Sequence, residues 1–134
     1  GYHANGLTYP NATAVGDLCA PSPDPDCAGK ARREILTGSD LSPVVSVNRD
    51  GSIISRLEDL IRYLDRTFPS EGWGRLLASG QLDWSRITVA GHSQGAGHAA
   101  YLGKLVSLDR LVRFSGPADV DPGEPPVRLH PHGR

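Results

Sequence analysis

Apolar residues in the middle of the chain recur with the period of a helix. Ile53, Ile54, Leu57, Leu60, Ile61, Leu64 and Phe68 follow one another at steps of one, three and four, while Arg56, Glu58, Asp59, Arg62, Asp65 and Arg66 hold the opposite side. The spacing predicts an amphipathic helix, capped by Asp50 or Ser52 and stopped by Pro69 after Phe68. Such a stripe needs a sheet to cover. Three shorter apolar runs offer strands: Tyr2, Ala4, Leu7 and Tyr9, ended by Pro10; the run from Ile87 to Ala90; and the run from Leu108 to Phe114, broken by Ser115-Gly116-Pro117. Between the last two, residues 96–106 favour a helix, and Trp73, Leu76 and Leu77 suggest a helical turn. Strand, long loop with helix, strand, helix, strand predicts an α/β fold: a parallel sheet of about three strands with crossover helices.

From Asn11 to about Val47 prolines, glycines and polar residues dominate, with a short helical possibility from Ala28 to Leu36. The stretch 11–47 is expected to be a surface insertion, with Pro43-Val44-Val45 its one dense apolar patch. Residues 1–119 then form one core, and the proline-rich 120–134 a tail. Trp73 and Trp84 are read as packing residues in preference to walls of a substrate groove.

A length of 134 residues suits one domain. The net charge of -1 gives no electrostatic footprint for nucleic acid or an anionic membrane. No apolar run approaches the length of about 18 residues that spans a bilayer, and no basic and apolar targeting pattern opens the chain. The 16 glycines and 11 prolines lie in turns and form no repeat.

Cys19 and Cys27 bracket the stiff loop Ala20-Pro21-Ser22-Pro23-Asp24-Pro25-Asp26, which can bring the sulfurs together. They are read as a disulfide, with two free thiols as the alternative; a bridge would place the protein outside the cytoplasm, secreted or periplasmic.

The richest chemistry lies where the second strand breaks, at Gly91-His92-Ser93-Gln94-Gly95. A strand before and a helix after make Gly-x-Ser-x-Gly a sharp turn that exposes the serine hydroxyl, and the small residues Gly95, Ala96, Gly97, Ala99 and Ala100 let the helix lie close on a sheet. Through these residues and their flanks the chain resembles the α/β-hydrolase superfamily, specifically its serine esterases and lipases. The resemblance implies a nucleophilic serine, an acid and a histidine base in that chain order.

Carried onto this chain, it makes Ser93 the nucleophile and the backbone amide of Gln94 the first oxyanion donor. Asp119, past the third strand, is the expected acid, with Asp121 its close rival. Of five histidines, His92 points away from the hydroxyl, His98 lies more than a turn into the helix and His3 is at the wrong end of its strand. His132 and His130 therefore remain as candidate bases. Tyr9 and Asn11, at the end of the first strand, and His92 in the turn are candidate substrate contacts, because sites in parallel sheets form at carboxyl ends of strands. His130-Pro131-His132 lacks a third ligand nearby, so neither a metal nor another cofactor is expected.

The resemblance covers only the middle of the hydrolase fold. The loop that implies the second oxyanion donor has no counterpart here, and one strand of the complete fold, between the first strand and the serine strand, is missing. Open strand edges of that kind predict a homodimer. The expected function is hydrolysis of small-molecule or polymeric carboxylic esters through an acyl-enzyme at Ser93. The alternative is a non-catalytic hydrolase-like fragment that serves as a binding or assembly module.

Overall fold

The structure, a computed structural model, describes residues 2–10 and 12–116. In chain order they form α1 (Val15–Cys19), α2 (Cys27–Thr37), α3 (Ile53–Thr67), β1 (Leu77–Ala78), β2 (Gln81–Leu82), β3 (Thr88–His92), α4 (Gln94–Leu105) and β4 (Arg110–Phe114), with 3-10 turns between α3 and β3.

The helix with the strongest periodicity, α3, starts where Ser52 accepts a hydrogen bond from the Ser55 amide at 3.3 Å, so Ser52 rather than Asp50 is the cap. Its last turn closes at Phe68, whose amide donates to Leu64 O, and Pro69 then opens a 3-10 turn. On its apolar face Ile61 packs with Trp73 and Leu82, flanked by Leu57, Leu64, Leu76, Leu77, Trp84 and Ile87. Trp73 is a core residue, and Trp84 leans on the same cluster. β1 and β2 form a small antiparallel hairpin across Ser79-Gly80, both with positive φ (50° and 80°), the backbone a two-residue hairpin turn demands.

The second core cluster is built where a surface excursion was expected. Val15, Ala31, Ile35 and Val47 are buried together, so residues 11–47 supply helices α1 and α2 and part of the core. A carboxylate explains how so polar a stretch packs. Glu34, 2 % exposed, accepts hydrogen bonds from the amides of Leu41 (2.9 Å), Ser42 (2.8 Å) and Val47 (3.0 Å). The returning loop thus has its backbone donors satisfied by one side chain. Gly38, at φ 73°, ends α2 in the left-handed conformation, and a Cβ there would strike the backbone of Asn48 and Arg49. Cys19 and Cys27 are joined in a disulfide that ties α1 to α2.

β3 and β4 pair in parallel, in register from Thr88↔Arg110 to His92↔Phe114, with α4 as the crossover between them. The expected sheet of about three strands is therefore a parallel pair among the described residues, because Tyr2 to Tyr9 forms no strand. Side chains fasten that segment instead: Arg56 donates to Thr8 O at 2.9 Å, and His3 Nε2 lies 2.9 Å from Glu71 O and stacks on Trp73. Where a ladder would join it to β3 there is a cavity of about 650 Å3. A strand needs a neighbour, and the described residues put none there. Among the described residues no helix is long and apolar enough to cross a membrane.

The Glu34 contacts make stability sensitive to acid. Burial by itself raises the pKa of this carboxyl, but the amides of Leu41, Val47 and Ser42 outweigh it and hold the pKa below the ordinary value. A depressed folded pKa contributes stability above the unfolded value, and that stability is lost as pH falls through the carboxylate range to the folded pKa. We expect Glu34→Ala to lose about 3 kcal/mol in urea unfolding at pH 7. The difference from wild type should shrink as pH falls below about 4.5.

Candidate active site

Ser93 joins β3 to α4 with φ 51° and ψ -117°, outside the ordinary regions for a residue with a side chain. Holding it there costs on the order of 1–3 kcal/mol, which the surrounding packing must supply. That packing is backbone against backbone. A Cβ on Gly91 would run into the carbonyl of Gly95 and the nitrogen of Ala96, so glycine alone lets β3 approach the first turn of α4 this closely. A Cβ on Gly116 would lie 2.7 Å from Ser93 O and 3.2 Å from Ala96 Cβ. The chain after β4 thus presses on the turn from the other side. Ser93 N–H donates to Phe114 O at 2.9 Å and Ala96 N–H to Ser93 O at 3.0 Å, fixing both ends of the serine's backbone. The Ser93 side chain is exposed and does not cap α4.

Gln94 opens α4, so its backbone N–H stands at the helix start, outside the helix's own ladder. Its side chain has a separate task. Oε1 accepts from Val15 N at 2.7 Å and Nε2 donates to Thr13 O at 3.5 Å, tying the start of α1 to the turn. Nothing in the sequence pattern pointed to this link.

Beneath the turn lies a buried polar cluster that sequence reasoning also missed. Arg32 of α2, 4 % exposed, rests its guanidinium on Gly97, where any Cβ would collide with it, and donates to Gln94 O at 3.3 Å. It also reaches His98 Nδ1 at 3.5 Å. Arginine has only donors, so Nδ1 is the acceptor and the ring proton sits on Nε2. The Tyr9 ring meets His98 edge-on, centroids 5.0 Å apart. Burial, reinforced by the Arg32 charge, lowers the His98 pKa to about 4, which keeps the ring neutral. Burial raises the Tyr9 pKa, with Arg32 pulling the other way.

The expected site residues divide accordingly. Ser93 and Gln94 share the turn. His92, exposed, ends β3 beside Ser93 and opposite Phe114. Tyr9, expected as a substrate contact, has its ring packed on His98. His98, more than a turn into α4, is buried. Asn11, Asp119, Asp121, His130 and His132 lie outside the described residues. Among the described residues no group of three or more side chains is placed to hold a metal ion. In comparison with known proteins, no family model matches the chain, and neither a curated protein nor a solved structure does.

The buried imidazole predicts a second acid transition. Because its folded pKa is depressed from 6.5 to about 4, His98 contributes stability that is present above pH 6.5 and is lost as pH falls toward 4. The loss should reach about 3 kcal/mol. Urea unfolding of His98→Phe should lack this component between pH 6.5 and 4, and a wild-type dependence retained in the variant would contradict it.

Proposed function

We propose that the protein is a serine hydrolase of carboxylic esters, with Ser93 as its nucleophile. The backbone of Ser93, at φ 51° between a parallel strand and a helix, with Gly91 packed on Gly95 beside it and Gly116 against its carbonyl, is the observation that carries this reading. Strain of this kind at an exposed, chemically competent hydroxyl has a use when the hydroxyl must project from a rigid turn.

In the proposed reaction Ser93 Oγ attacks the ester carbonyl carbon while its proton passes to a histidine, His132 or His130, oriented by Asp119. The tetrahedral oxyanion draws on the Gln94 amide and the positive end of α4. Collapse expels the alcohol, which takes the proton from the histidine, and leaves an acyl group on Oγ. Water, deprotonated by the same histidine, then attacks the acyl carbon, and the second tetrahedral intermediate collapses as the histidine returns the proton to Ser93 Oγ, releasing the carboxylic acid and the free serine.

The disulfide accords with an oxidising compartment outside the cytoplasm, and we place the protein as secreted or periplasmic on that basis. Lipid-like or polymeric esters suit such a location. We also retain the homodimer as part of the proposal. Leu111, Val112 and Phe114 of β4 are 38 %, 37 % and 55 % exposed, apolar surface that a second copy would cover.

The serine makes the proposal testable in two independent ways. A fluorophosphonate should label wild-type protein at Ser93 alone, and p-nitrophenyl butyrate should be hydrolysed; esterase activity surviving in Ser93→Ala would sink the assignment. Ser93→Gly relieves the backbone, so it should unfold about 1 kcal/mol later than wild type while losing the label. Replacing the base, His132→Ala or His130→Ala, should slow acylation by about 1000-fold in whichever variant removes it.

A further inference from the structure

The cavity beside β3 carries unmet hydrogen-bonding capacity along a whole edge. In a strand, the N–H and C=O of alternate residues face opposite edges. Ser93 N–H donates to Phe114 O, and Ile87 O accepts from Asp109 N, so the odd-numbered residues 87–93 face β4. The N–H and C=O groups of Thr88, Ala90 and His92 therefore face the other edge, and all three residues line the cavity. Among the described residues no strand pairs there. His98 lines the same cavity, is 3 % exposed, and its Nε2, the protonated nitrogen, has no acceptor among the described residues.

Part of the remaining wall is apolar and helical, while Tyr2, His3, Asn5, Leu7 and Tyr9 line the cavity from the N-terminal segment. Ile53, Leu57 and Ile61 of α3 and Ala99 and Leu102 of α4 line the space. An acyl chain would fill such a volume and leave the donors and acceptors of three strand residues unanswered. An extended peptide answers them, because it presents an N–H and a C=O at every second residue with the spacing of the edge itself. One set of its side chains would meet the helix walls and must be apolar, while the alternate set faces away from them.

We propose that the free edge of β3 and the adjoining cavity form an acceptor slot for an extended strand, apolar at every second residue, supplied by another polypeptide. Ser93 itself does not line the cavity, although Gly91, His92 and Gly95 of its turn do, so the proposal is read by binding and not by turnover and is tested independently of the esterase reading. Pairing would complete a central strand and cover the buried His98 donor, joining this chain to its partner by main-chain hydrogen bonds.

The probe is the peptide acetyl-Lys-Val-Thr-Val-Thr-Val-Lys-amide, titrated into the full chain by calorimetry, with tryptophan emission as a second signal because Trp73 lines the cavity. Two further peptides carry N-methyl groups on alternate amides, one in each phase. Saturable one-to-one binding is expected, with one methylation phase weakening it at least tenfold and the other changing it less than about threefold, since only one peptide edge faces β3. Ala90→Pro removes an N–H that the β4 ladder does not use, and should weaken binding at least tenfold with an unchanged circular dichroism spectrum. Equal binding of both methylated peptides would reduce the slot to an apolar hole and overturn the proposal. So would failure of the parent peptide to bind, its displacement by dodecanoate at equal concentration, or a stable dimer of the protein whose slot excludes the peptide.

Discussion

The close approach of β3 to the first turn of α4 is the constraint on which the rest of the structure depends. With Gly91 set against Gly95 and Ala96, the strand and helix meet backbone to backbone, and the residue between them has no room to adopt an ordinary conformation. Ser93 takes up the strain at φ 51°. The arrangement persists because it is held from several sides: Gly116 seats the end of β4 against Ser93 O, Arg32 grips the Gln94 carbonyl from α2, and the Gln94 side chain binds Val15 and Thr13. A strained residue survives only when its surroundings over-determine it. Here the surroundings come from nearly every part of the described chain.

This explains why the segment before α3 is indispensable to the turn that follows much later. Glu34 folds residues 38–47 back over α2 by three backbone hydrogen bonds, and this places Val47 against Ala31 and Ile35. The disulfide and the Val15 cluster fix α1 beside α2. With that platform in place, Arg32 is buried under Gly97 and can reach the carbonyl of Gln94. A buried guanidinium is costly unless its donors are used, so its hydrogen bond to the Gln94 carbonyl also selects this packing over alternatives. The same burial holds His98 neutral and leaves its Nε2–H pointing to a need that the described residues do not meet.

The described residues thus join a tightly determined turn to a strand whose second edge they leave unpaired. On one side of β3 the ladder to β4 is in register over five residue pairs. On the other, the segment from Tyr2 to Tyr9 is held at a distance by Arg56 and by the packing of His3 and Tyr9, with a cavity between. The serine turn stands at the carboxyl end of β3 and the edge left unpaired among the described residues runs along its flank, so the proposed chemistry and the proposed recognition fall on different parts of one strand.

The elements whose pattern is local were legible without coordinates: α3 from its apolar period, β3 and β4 from their short apolar runs, α4 from its composition, and the turn at Ser93 from two glycines flanking a serine between strand and helix. The Cys19–Cys27 bridge was legible because a short stiff loop leaves the two sulfurs close. Most of α2 was legible too, as the short helix expected from Ala28 to Leu36, and tertiary structure decided the rest. Residues 11–47 look like surface because their polar groups are counted as exposed, whereas Glu34 buries them by satisfying distant amides, a pairing with no sequence period. Tyr2 to Tyr9 has the alternation of a strand, yet a strand exists only with a neighbour to pair, and none of the described residues provides one. Arg32 and His98 carry no local signal because their roles depend on contact between α2 and α4. The sequence by itself determined which segments can be helix or strand and where the strained serine sits; contacts between distant segments determined what is buried, because burial depends on what the rest of the chain brings alongside.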